Sequence, residues 1–482
     1  MKKEYLVSRR NFLKVMGTSS AGLVVPLTAT TKVTAQTANP IVAENSKLGT
    51  TSWIPFNAAN GEIEGYASHS SINKGEAIRF FVSTVESSYK IAIFRLGWYG
   101  GLGGRQIVGA VSKTGVHQLT PTPNPTTGLI ECNWGVSCQV TTSSTWVSGI
   151  YVALLTTLSG KQQLIQFVVR DDVRGSKLLF QRSITTDQAY NGWGGKSLYA
   201  FNSTGGEPAV KVSFNRPYDS ASQGAGFLFN WEIQMLRFLE KEGYDVKYCT
   251  NIDVHSNTTS LNNVKGFLSV GHDEYWSYEM RQNVEAARER RVHLGFFSAN
   301  TCYWQVRLEP SPINGAINRT MVCYKNNYGL DPLFNIDNKR LTTLWGEAPV
   351  SRPEDALIGV KWNYLYPVNG DIVISDPTDP IFAGTGVVAG TKLRGLVGPE
   401  SDSVQGNGPP TLRRICHSPV SDGVGSAFSD MTMYRAASGA SVFAVGTNQW
   451  SWGLDDGGGI SDTALVSPAA KQITRNVLSL FV

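Results

Sequence analysis

The sequence predicts an α/β protein in which an all-β sandwich precedes a doubly wound sheet. Residues 76–170 contain short apolar strand patterns broken by turns, and no helical pattern interrupts them. Beyond Asp171 and Asp172, strand patterns alternate with amphipathic helical patterns. This alternation is typical of parallel strands joined by right-handed crossovers. The 49 Gly and 12 Trp among 482 residues also favour turns and strands over a helical bundle.

The predicted sandwich covers residues 53–171 and follows a polar linker at 36–52. Its strands show the alternation or the short apolar run of a half-buried or buried strand, and they span 77–82, 89–94, 149–155 and 164–169. Immunoglobulin-like sandwiches have this succession of short strands and turns. The stretch from Gly100 to Gly104 lacks the strand-to-helix context of a phosphate-binding loop, so we interpret it as a turn.

The predicted α/β domain covers residues 172–482. Apolar residues at helical spacing predict a helix over 227–241, and Ser277 is a suitable N-cap for a second helix over 278–290. The predicted strands span 177–180, 210–214, 245–248, 265–270 and 292–297. The Gly-rich, strand-rich region 340–482 is expected to extend the same domain.

Residues 1–35 have the features of an export signal. Ser8-Arg9-Arg10-Asn11-Phe12-Leu13-Lys14 resembles the twin-arginine motif, and a weakly apolar stretch and the small-residue site Val33-Thr34-Ala35 follow it. The motif implies that the twin-arginine translocase exports the folded chain to the periplasm or outside the cell. No run of about 18 apolar residues occurs, so no ordinary membrane span is predicted.

Charge and cysteine content exclude several classes of function. The net charge of +5 belongs to residues 1–35, so the remaining chain is neutral. A neutral chain argues against nucleic acid as a partner, because phosphate binding requires a basic surface. Six cysteines are too few for a disulfide scaffold, although Cys132 and Cys138 are close enough in sequence to pair. No CxxC motif occurs, so a structural zinc site is not expected.

Polar residues follow several predicted strands, at the edge where open α/β sheets bind ligands. The strongest pattern is His272-Asp273-Glu274, between a buried strand and a helix start. Side chains two residues apart on an extended backbone point the same way. His272 and Glu274 can therefore share a site in which one binds a metal and the other transfers protons. The alternative is a structural role, because a carboxylate is also stable at a helix N-terminus without a metal.

Other residues after strands support weaker hypotheses. Tyr190 and Tyr218, taken alone, are ordinary half-buried tyrosines with hydrogen-bonded hydroxyls. His293 lies within a strand pattern and is interpreted as structural. No G-x-S-x-G nucleophile elbow precedes a helix. Cys302 follows a strand, and a Cys–His pair with His272 would make a thiol hydrolase.

Several longer motifs surround these positions. They are Ala189-Tyr190-Asn191, the stretch 193–199, Asn215-Arg216-Pro217-Tyr218, the stretch 240–246, Gly271-His272-Asp273-Glu274-Tyr275-Trp276-Ser277, and the stretches 299–304 and 447–455. In these motifs, residues 172–482 resemble the C-terminal domain of the N,N-dimethylformamidase large (beta) subunit. The stretch 94–101 in the predicted sandwich also resembles the family, and the stretch 271–277 is the most specific of all.

The resemblance implies a glutamine-amidotransferase-like α/β fold. It also implies a mononuclear Fe(III) site, one per chain, formed by two tyrosinates and one glutamate. Residue by residue, the ligands fall on Tyr190, Tyr218 and Glu274. The catalytic positions of the family fall on His272, Asn300 and, by a weaker match, Glu400.

The implied chemistry is consistent. A free Tyr has a pKa of about 10, so a phenolate at neutral pH needs a strong local positive charge, which a hard trivalent cation supplies. Three protein ligands leave positions open for water and an amide oxygen. His272 or Glu400 would move protons, and Asn300 would hold the amide oxygen. The sequence thus predicts a metal-dependent hydrolase of the C–N bond in a small amide.

Two departures from the family limit this analogy. The formamidase works with a small separate subunit that this chain does not contain, so the chain could form a homo-oligomer or bind a partner subunit. The family enzyme is also not known as an exported protein. The alternative function is a non-catalytic secreted protein that binds carbohydrate or a surface, with Trp98 and Tyr99 as stacking platforms. The discriminating feature is whether Tyr190, Tyr218 and Glu274 meet around one point.

Overall fold

Two antiparallel sheets form the sandwich at the N-terminal end of the described chain. The computed structural model describes residues 39–256 and 259–482, and the predicted export signal lies outside them. The sandwich strands are β1 (Ile63–Ala67), β2 (Ser71–Asn73), β3 (Ala77–Thr84), β4 (Ser88–Leu96), β5 (Gly104–Thr114), β6 (Cys138–Thr141), β7 (Gly149–Thr157) and β8 (Gln162–Arg170). One sheet has the order β1-β3-β6 and the other β2-β8-β7-β4-β5, with only the short β2–β8 pair parallel.

Strand β7 is buried on both faces, which explains its continuous apolar run. Tyr151 and Ala153 pack into the core between the two sheets. Ile150 and Val152 face the other way and pack into a core shared with the α/β part of the chain. Residues 39–482 accordingly form one compact unit.

The remaining strands build the α/β part. They are β9 (Leu178–Arg182), β10 (Lys211–Ser213), β11 (Val246–Thr250), β12 (Gly266–His272), β13 (Tyr275–Ser277), β14 (His293–Ala299), β15 (Trp304–Glu309), β16 (Thr320–Val322), β17 (Lys361–Trp362), β18 (Gly370–Val373), β19 (Lys392–Val397), β20 (Asp402–Ser403), β21 (Arg413–Ser421), β22 (Ser426–Arg435) and β23 (Ser441–Ala444). The central sheet has seven strands in the order β11-β9-β12-β14-β23-β22-β21. The pairs from β11 to β23 are parallel, which confirms the predicted pairing, and β22 and β21 are added antiparallel.

Helices cover both faces of the central sheet. The α-helices are α1 (Pro40–Asn45), α2 (Ile184–Tyr190), α3 (Ile233–Lys241), α4 (Asn251–His255), α5 (Tyr278–Glu289), α6 (Asp355–Ile358) and α7 (Pro468–Ser479). Helices α3 and α7 pack in one core and α5 in the other, on the opposite face. The predicted helix over 227–241 is α3 preceded by a π-helical turn, Leu228–Glu232. Ser277 caps α5 as predicted, since its Oγ accepts a hydrogen bond from Met280 N at 3.1 Å.

A smaller sheet with the order β10-β16-β15-β13 lies beside the central one. Because β13 follows β12 after only Asp273 and Glu274, these two residues lie at the junction of the two sheets. No helix in the described part of the chain is long and apolar enough to cross a membrane.

Candidate active site

The site lies at the carboxyl edge of the parallel strands. Strand β12 ends at His272. Two hydrogen bonds fix the backbone of Glu274, because its N–H donates to Thr186 Oγ1 at 2.9 Å and its carbonyl accepts from Tyr303 N at 2.9 Å. Tyr190 is the last residue of α2, the helix that follows β9. The ends of two neighbouring parallel strands thus bring a phenol and a carboxylate together.

Asp273, between the two site residues, has a structural role. Its buried carboxylate accepts hydrogen bonds from Gln181 Nε2 at 2.7 Å, Ser269 Oγ at 2.8 Å and Asn251 Nδ2 at 3.0 Å. These donors lie in or directly after β9, β12 and β11. The carboxylate therefore ties three strand ends together and fixes the backbone from which His272 and Glu274 project.

Two phenols converge on the Glu274 carboxylate. Tyr190 Oη donates to Glu274 Oε2 at 2.8 Å, and Tyr199 Oη donates to Glu274 Oε1 at 2.9 Å. The two phenol oxygens are themselves 2.9 Å apart. Tyr275 Oη donates to Tyr199 Oη at 2.5 Å and extends the cluster. We call Tyr190, Tyr199 and Glu274 the oxygen cluster.

The three predicted catalytic residues border the oxygen cluster. His272 Nε2 is 3.3 Å from Glu274 Oε2 and 4.0 Å from Glu400 Oε1. Asn300 Nδ2 is 3.4 Å from His272 Nε2, and its backbone, in the left-handed region at φ 49°, donates to Asp402 Oδ1 at 2.7 Å. Asn300 Oδ1 and Glu400 Oε2 are buried without a partner. Such buried atoms are available for a hydrogen bond to a ligand or to water.

Burial dominates the protonation of this site in the absence of a metal. It raises the pKa values of Tyr190 and Tyr199, and the charge of Glu274 raises them further. Burial also raises the pKa of Glu274 itself and that of Glu400. The pKa of His272 falls to about 3 for the same reason. Without a metal ion, the phenols and His272 are therefore neutral at neutral pH.

One cation does lie beside the cluster. Lys325 Nζ is 3.2 Å from the centre of the Tyr199 ring and also approaches the Tyr275 and Trp304 rings. Burial lowers the pKa of Lys325 to about 8, although the nearby Cys323 and Glu274 act to raise it. The ammonium group offsets part of the negative charge of Glu274.

A cavity of about 390 Å³ opens from the oxygen cluster. Its walls are mainly aromatic, from Tyr303, Trp304, Trp362, Tyr366 and Phe201, and its polar groups are those of Tyr190, Tyr199, Glu274, Asn300 and Glu400. Apolar walls with a few convergent polar groups are typical of small-molecule sites.

Tyr218 is the one predicted site residue that the structure does not place with the others. It lines a neighbouring cavity of about 250 Å³, which Tyr190 also borders. The charged groups around its hydroxyl are Asp187, Arg182, Arg216 and Arg319. Within the described residues, Tyr218 has no hydrogen bond to Glu274 and no ring contact with Tyr190. Its assignment as a metal ligand stays a prediction.

Sequence reasoning missed Tyr199, Tyr275 and Lys325. Tyr199 and Tyr275 lie in the two motifs quoted for the family, 193–199 and 271–277, but tyrosines occur 18 times in the chain and no spacing distinguishes these two. Lys325 follows the short strand β16 and carries no motif. Only the fold brings it to the cluster.

The structure corrects two hypotheses about other residues. Cys302 is fully buried, burial raises the pKa of its thiol, and no contact joins it to His272 within the described chain, so the thiol-hydrolase hypothesis has no accessible nucleophile. Trp98 and Tyr99 are not the exposed stacking platforms that the alternative function requires. Tyr99 is buried and donates to Glu44 Oε1, while Lys241 Nζ lies 4.3 Å from the Trp98 ring centre.

The cysteines and His293 have ordinary environments. All six cysteines are free and buried, including Cys132 and Cys138, which pack in different hydrophobic clusters. His293 is structural as predicted, because its Nδ1 accepts from Ser441 N at 3.0 Å. Among the residues that the structure describes, no group of three or more His, Cys, Asp or Glu side chains could hold a metal ion. A metal bound in this part of the chain would thus need other ligands, such as the phenols of the oxygen cluster.

Comparisons with known proteins identify the family. A family model described as "N,N-dimethylformamidase beta subunit-like, C-terminal" matches residues 90–463, while no curated protein matches the chain. Among solved structures, a cycloisomaltooligosaccharide glucanotransferase from Paenibacillus sp. aligns with 50% of this chain and 44% of its own length, at 9% identity and a TM-score of 0.16. So low a score carries no argument about fold. The family match covers most of the chain and confirms the resemblance found in the motifs, so the chain belongs to the N,N-dimethylformamidase beta subunit-like family.

Proposed function

We propose that the chain is a metal-dependent hydrolase of a C–N amide bond, with its active site at the oxygen cluster. The observation that carries the proposal is the convergence of two phenols and a carboxylate beside His272, Asn300 and Glu400. Membership of a family named after an amide-cleaving enzyme supports the same reaction class. The parallel strands with helices on both faces support the amidotransferase-like fold that the family implies.

The oxygen cluster fits a small, hard cation. Its oxygens lie 2.8 to 2.9 Å apart, so one ion could contact all three side chains. All three ligands would be anionic oxygens, as a trivalent ion prefers. Tyr190, Tyr199 and Glu274 would hold Fe(III). The bound ion would act as a Lewis acid on the amide carbonyl and on water.

The chain's own residues account for the remaining steps. In the hydrolysis, a water oxygen bonds to the amide carbonyl carbon, the C–N bond breaks, and a carboxylic acid and an amine leave. His272, next to the cluster, is placed to accept the proton of that water. Asn300 Nδ2 is placed to donate a hydrogen bond to the amide oxygen as negative charge develops there. Glu400, on the other side of His272, is placed to deliver a proton to the leaving nitrogen.

The cavity indicates the size of the substrate. Cavities of roughly 300–1,000 Å³ hold drug-sized ligands, so 390 Å³ exceeds what dimethylformamide fills. Aromatic walls favour apolar N-substituents. We therefore infer a substrate with larger alkyl or aryl groups on nitrogen.

The proposal is tested by amine release from a panel of formamides and N-substituted amides with iron-loaded protein. We expect turnover that His272→Ala abolishes without loss of metal, because His272 is not in the proposed ligand set. His417→Ala is the matched control, since His417 pairs with Asp430 and does not line the 390 Å³ cavity. Unchanged turnover in the His272 variant, or no amine released from any substrate, would contradict the proposal.

We also infer export through the twin-arginine pathway from the motif at Arg9 and Arg10. Replacement of both by Lys should hold the full-length protein in the cytoplasm, which cell fractionation measures. Secretion of the variant at the normal level would refute the export route and leave the enzymatic proposal untouched.

A further inference from the structure

A third cavity, of about 30 Å³, lies where the sandwich meets the α/β part. Strands β1 and β8 form its apolar wall. Its polar lining includes Arg182, Arg216, Arg319, Tyr218 and Gln188. Three guanidinium groups around so small a space are unusual, because buried cations require partners of opposite charge.

Arg182 has such partners. Its Nη2 is 2.5 Å from Asp187 Oδ2, and its Nη1 is 2.6 Å from Glu232 Oε1. Its remaining N–H groups donate to Gln166 and to the Ala225 carbonyl. The charge and the donors of Arg182 are thus satisfied within the protein.

Arg216 and Arg319 have no partner of opposite charge, although their side chains are only 2% and 4% exposed. Within residues 39–256 and 259–482, neither makes an ion pair. Arg216 donates only to the carbonyls of Asn191, Trp193 and Lys196, and its Nε is buried without a partner. Arg319 donates to Asn215 Oδ1 and to the carbonyls of Ala67 and Phe214, and its Nη1 makes no hydrogen bond.

Nearby carboxylates do not neutralise them directly. The side chain of Asn215 lies between Arg319 and Glu131. Glu131 accepts hydrogen bonds from Asn215 Nδ2 at 2.8 Å and from Ser311 Oγ at 2.5 Å. Asp219 accepts from the backbone N–H groups of Gly192 and Ser222. Burial also lowers the pKa values of Arg216 and Arg319 to about 10, which leaves both charged at neutral pH. Among the described residues, Arg216 and Arg319 therefore line the cavity without an ion-pair partner, and Arg319 Nη1 is left without an acceptor.

We propose that this cavity binds one small monovalent anion, of which chloride is the physiological example, between Arg216 and Arg319. A cavity of about 30 Å³ holds one or two water-sized particles, so it suits a halide better than sulfate or phosphate. Tyr218 also lines the cavity, and we assign its hydroxyl as a further donor to the anion. This assigns Tyr218 a role outside the oxygen cluster.

Anion binding would act on the active site through the backbone. The carbonyls that Arg216 holds belong to residues 191–196, the loop that joins Tyr190 to Tyr199. With its charge compensated, Arg216 would fix this loop in the conformation that directs both phenols to Glu274. The inference about the anion itself does not depend on the proposed function.

Anion titrations of the dialysed protein test the proposal. At constant ionic strength, chloride and bromide replacing gluconate should raise the unfolding temperature by a few degrees and then saturate, as binding to one site requires. Sulfate should give only the unsaturable rise of an excluded salt. Arg319→Gln should abolish the saturable part, whereas Arg475→Gln, which breaks the partly exposed ion pair with Glu242, should retain it.

Bromide also reports on the unmodified protein, which covers the case in which Arg319→Gln fails to fold. Crystals grown in bromide should show one anomalous peak between Arg216 and Arg319. A linear response to every anion, or bromide density absent from the cavity, would overturn the proposal.

Discussion

At the scale of single residues, the site depends on which phenol accompanies Tyr190. Sequence resemblance points to Tyr218, whereas the structure places Tyr199 on Glu274 and Tyr218 among arginines. Glu400 was identified only by a weaker match to the family, whereas His272, Glu274 and Asn300 were predictable, because they follow the ends of predicted strands. Tyr199 was not, because a loop tyrosine has no period or spacing that signals its direction.

Phenylalanine replacements separate the two tyrosines. Tyr199→Phe removes an oxygen of the cluster and should lower iron content several-fold, with loss or a shift of the visible tyrosinate absorption. Tyr218→Phe should retain both. Iron analysis and absorption spectra of the two purified variants make the comparison, and the reverse result would restore Tyr218 as the ligand.

His293 should make stability depend on pH. Burial, followed by the nearby charges of Arg435 and Lys265, lowers its pKa, and its Nδ1 must stay unprotonated to accept from Ser441 N. The unfolded chain therefore binds more protons below about pH 6.5, so this contribution to stability is present above that pH and is lost as the pH falls.

Urea unfolding at pH 5.5 and 7.5 measures this effect against His293→Asn, which keeps an acceptor but does not titrate. The variant should lose less stability than the parent on acidification. An equal loss in both proteins would show that His293 does not contribute.

At the scale of elements, hydrophobic periodicity predicted β9, β12 and β14, which lead into the site, but not α2, the helix that ends at Tyr190. It missed β5, whose side chains are mostly exposed and show no apolar alternation, and α7. It also could not predict the π-helical turn before α3. The sheet junction after β12 depends on Gly271, whose φ of 73° favours glycine and whose Cα faces Trp231 closely.

Gly271→Ala should therefore displace the end of β12. An added Cβ would clash with the Trp231 Cβ, and the left-handed backbone adds strain. We expect a loss of about 1–3 kcal/mol of stability and a larger fractional loss of iron binding. Gly109→Ala is the control, since nothing lies within 4 Å of its added Cβ. Equal stability and iron content in both variants would show that the site does not require glycine at position 271.

At the scale of the whole molecule, the sandwich and the α/β part share a core. The division at residues 171 and 172 was predicted from a change in pattern, and it stays a prediction. The sequence does not show that alternate residues of β7 belong to different cores, because a strand buried on both faces reads as one apolar run.

The shared core predicts a single unfolding transition. Leu154→Ala removes a side chain on the face of β7 that packs against the α/β part, and it should cost about 2–5 kcal/mol. Because both parts share that core, calorimetry should show one transition at a lower temperature. Two resolved transitions would mean that the parts unfold independently.

The central claim is that the oxygen cluster binds ferric iron through Tyr190, Tyr199 and Glu274. The most direct measurement is the iron content and visible spectrum of the purified native protein, beside Glu274→Gln. We predict one iron per chain with a tyrosinate-to-iron band, and the loss of both in the variant. Iron-free native protein that cannot be loaded, or an unchanged band in Glu274→Gln, would contradict the account.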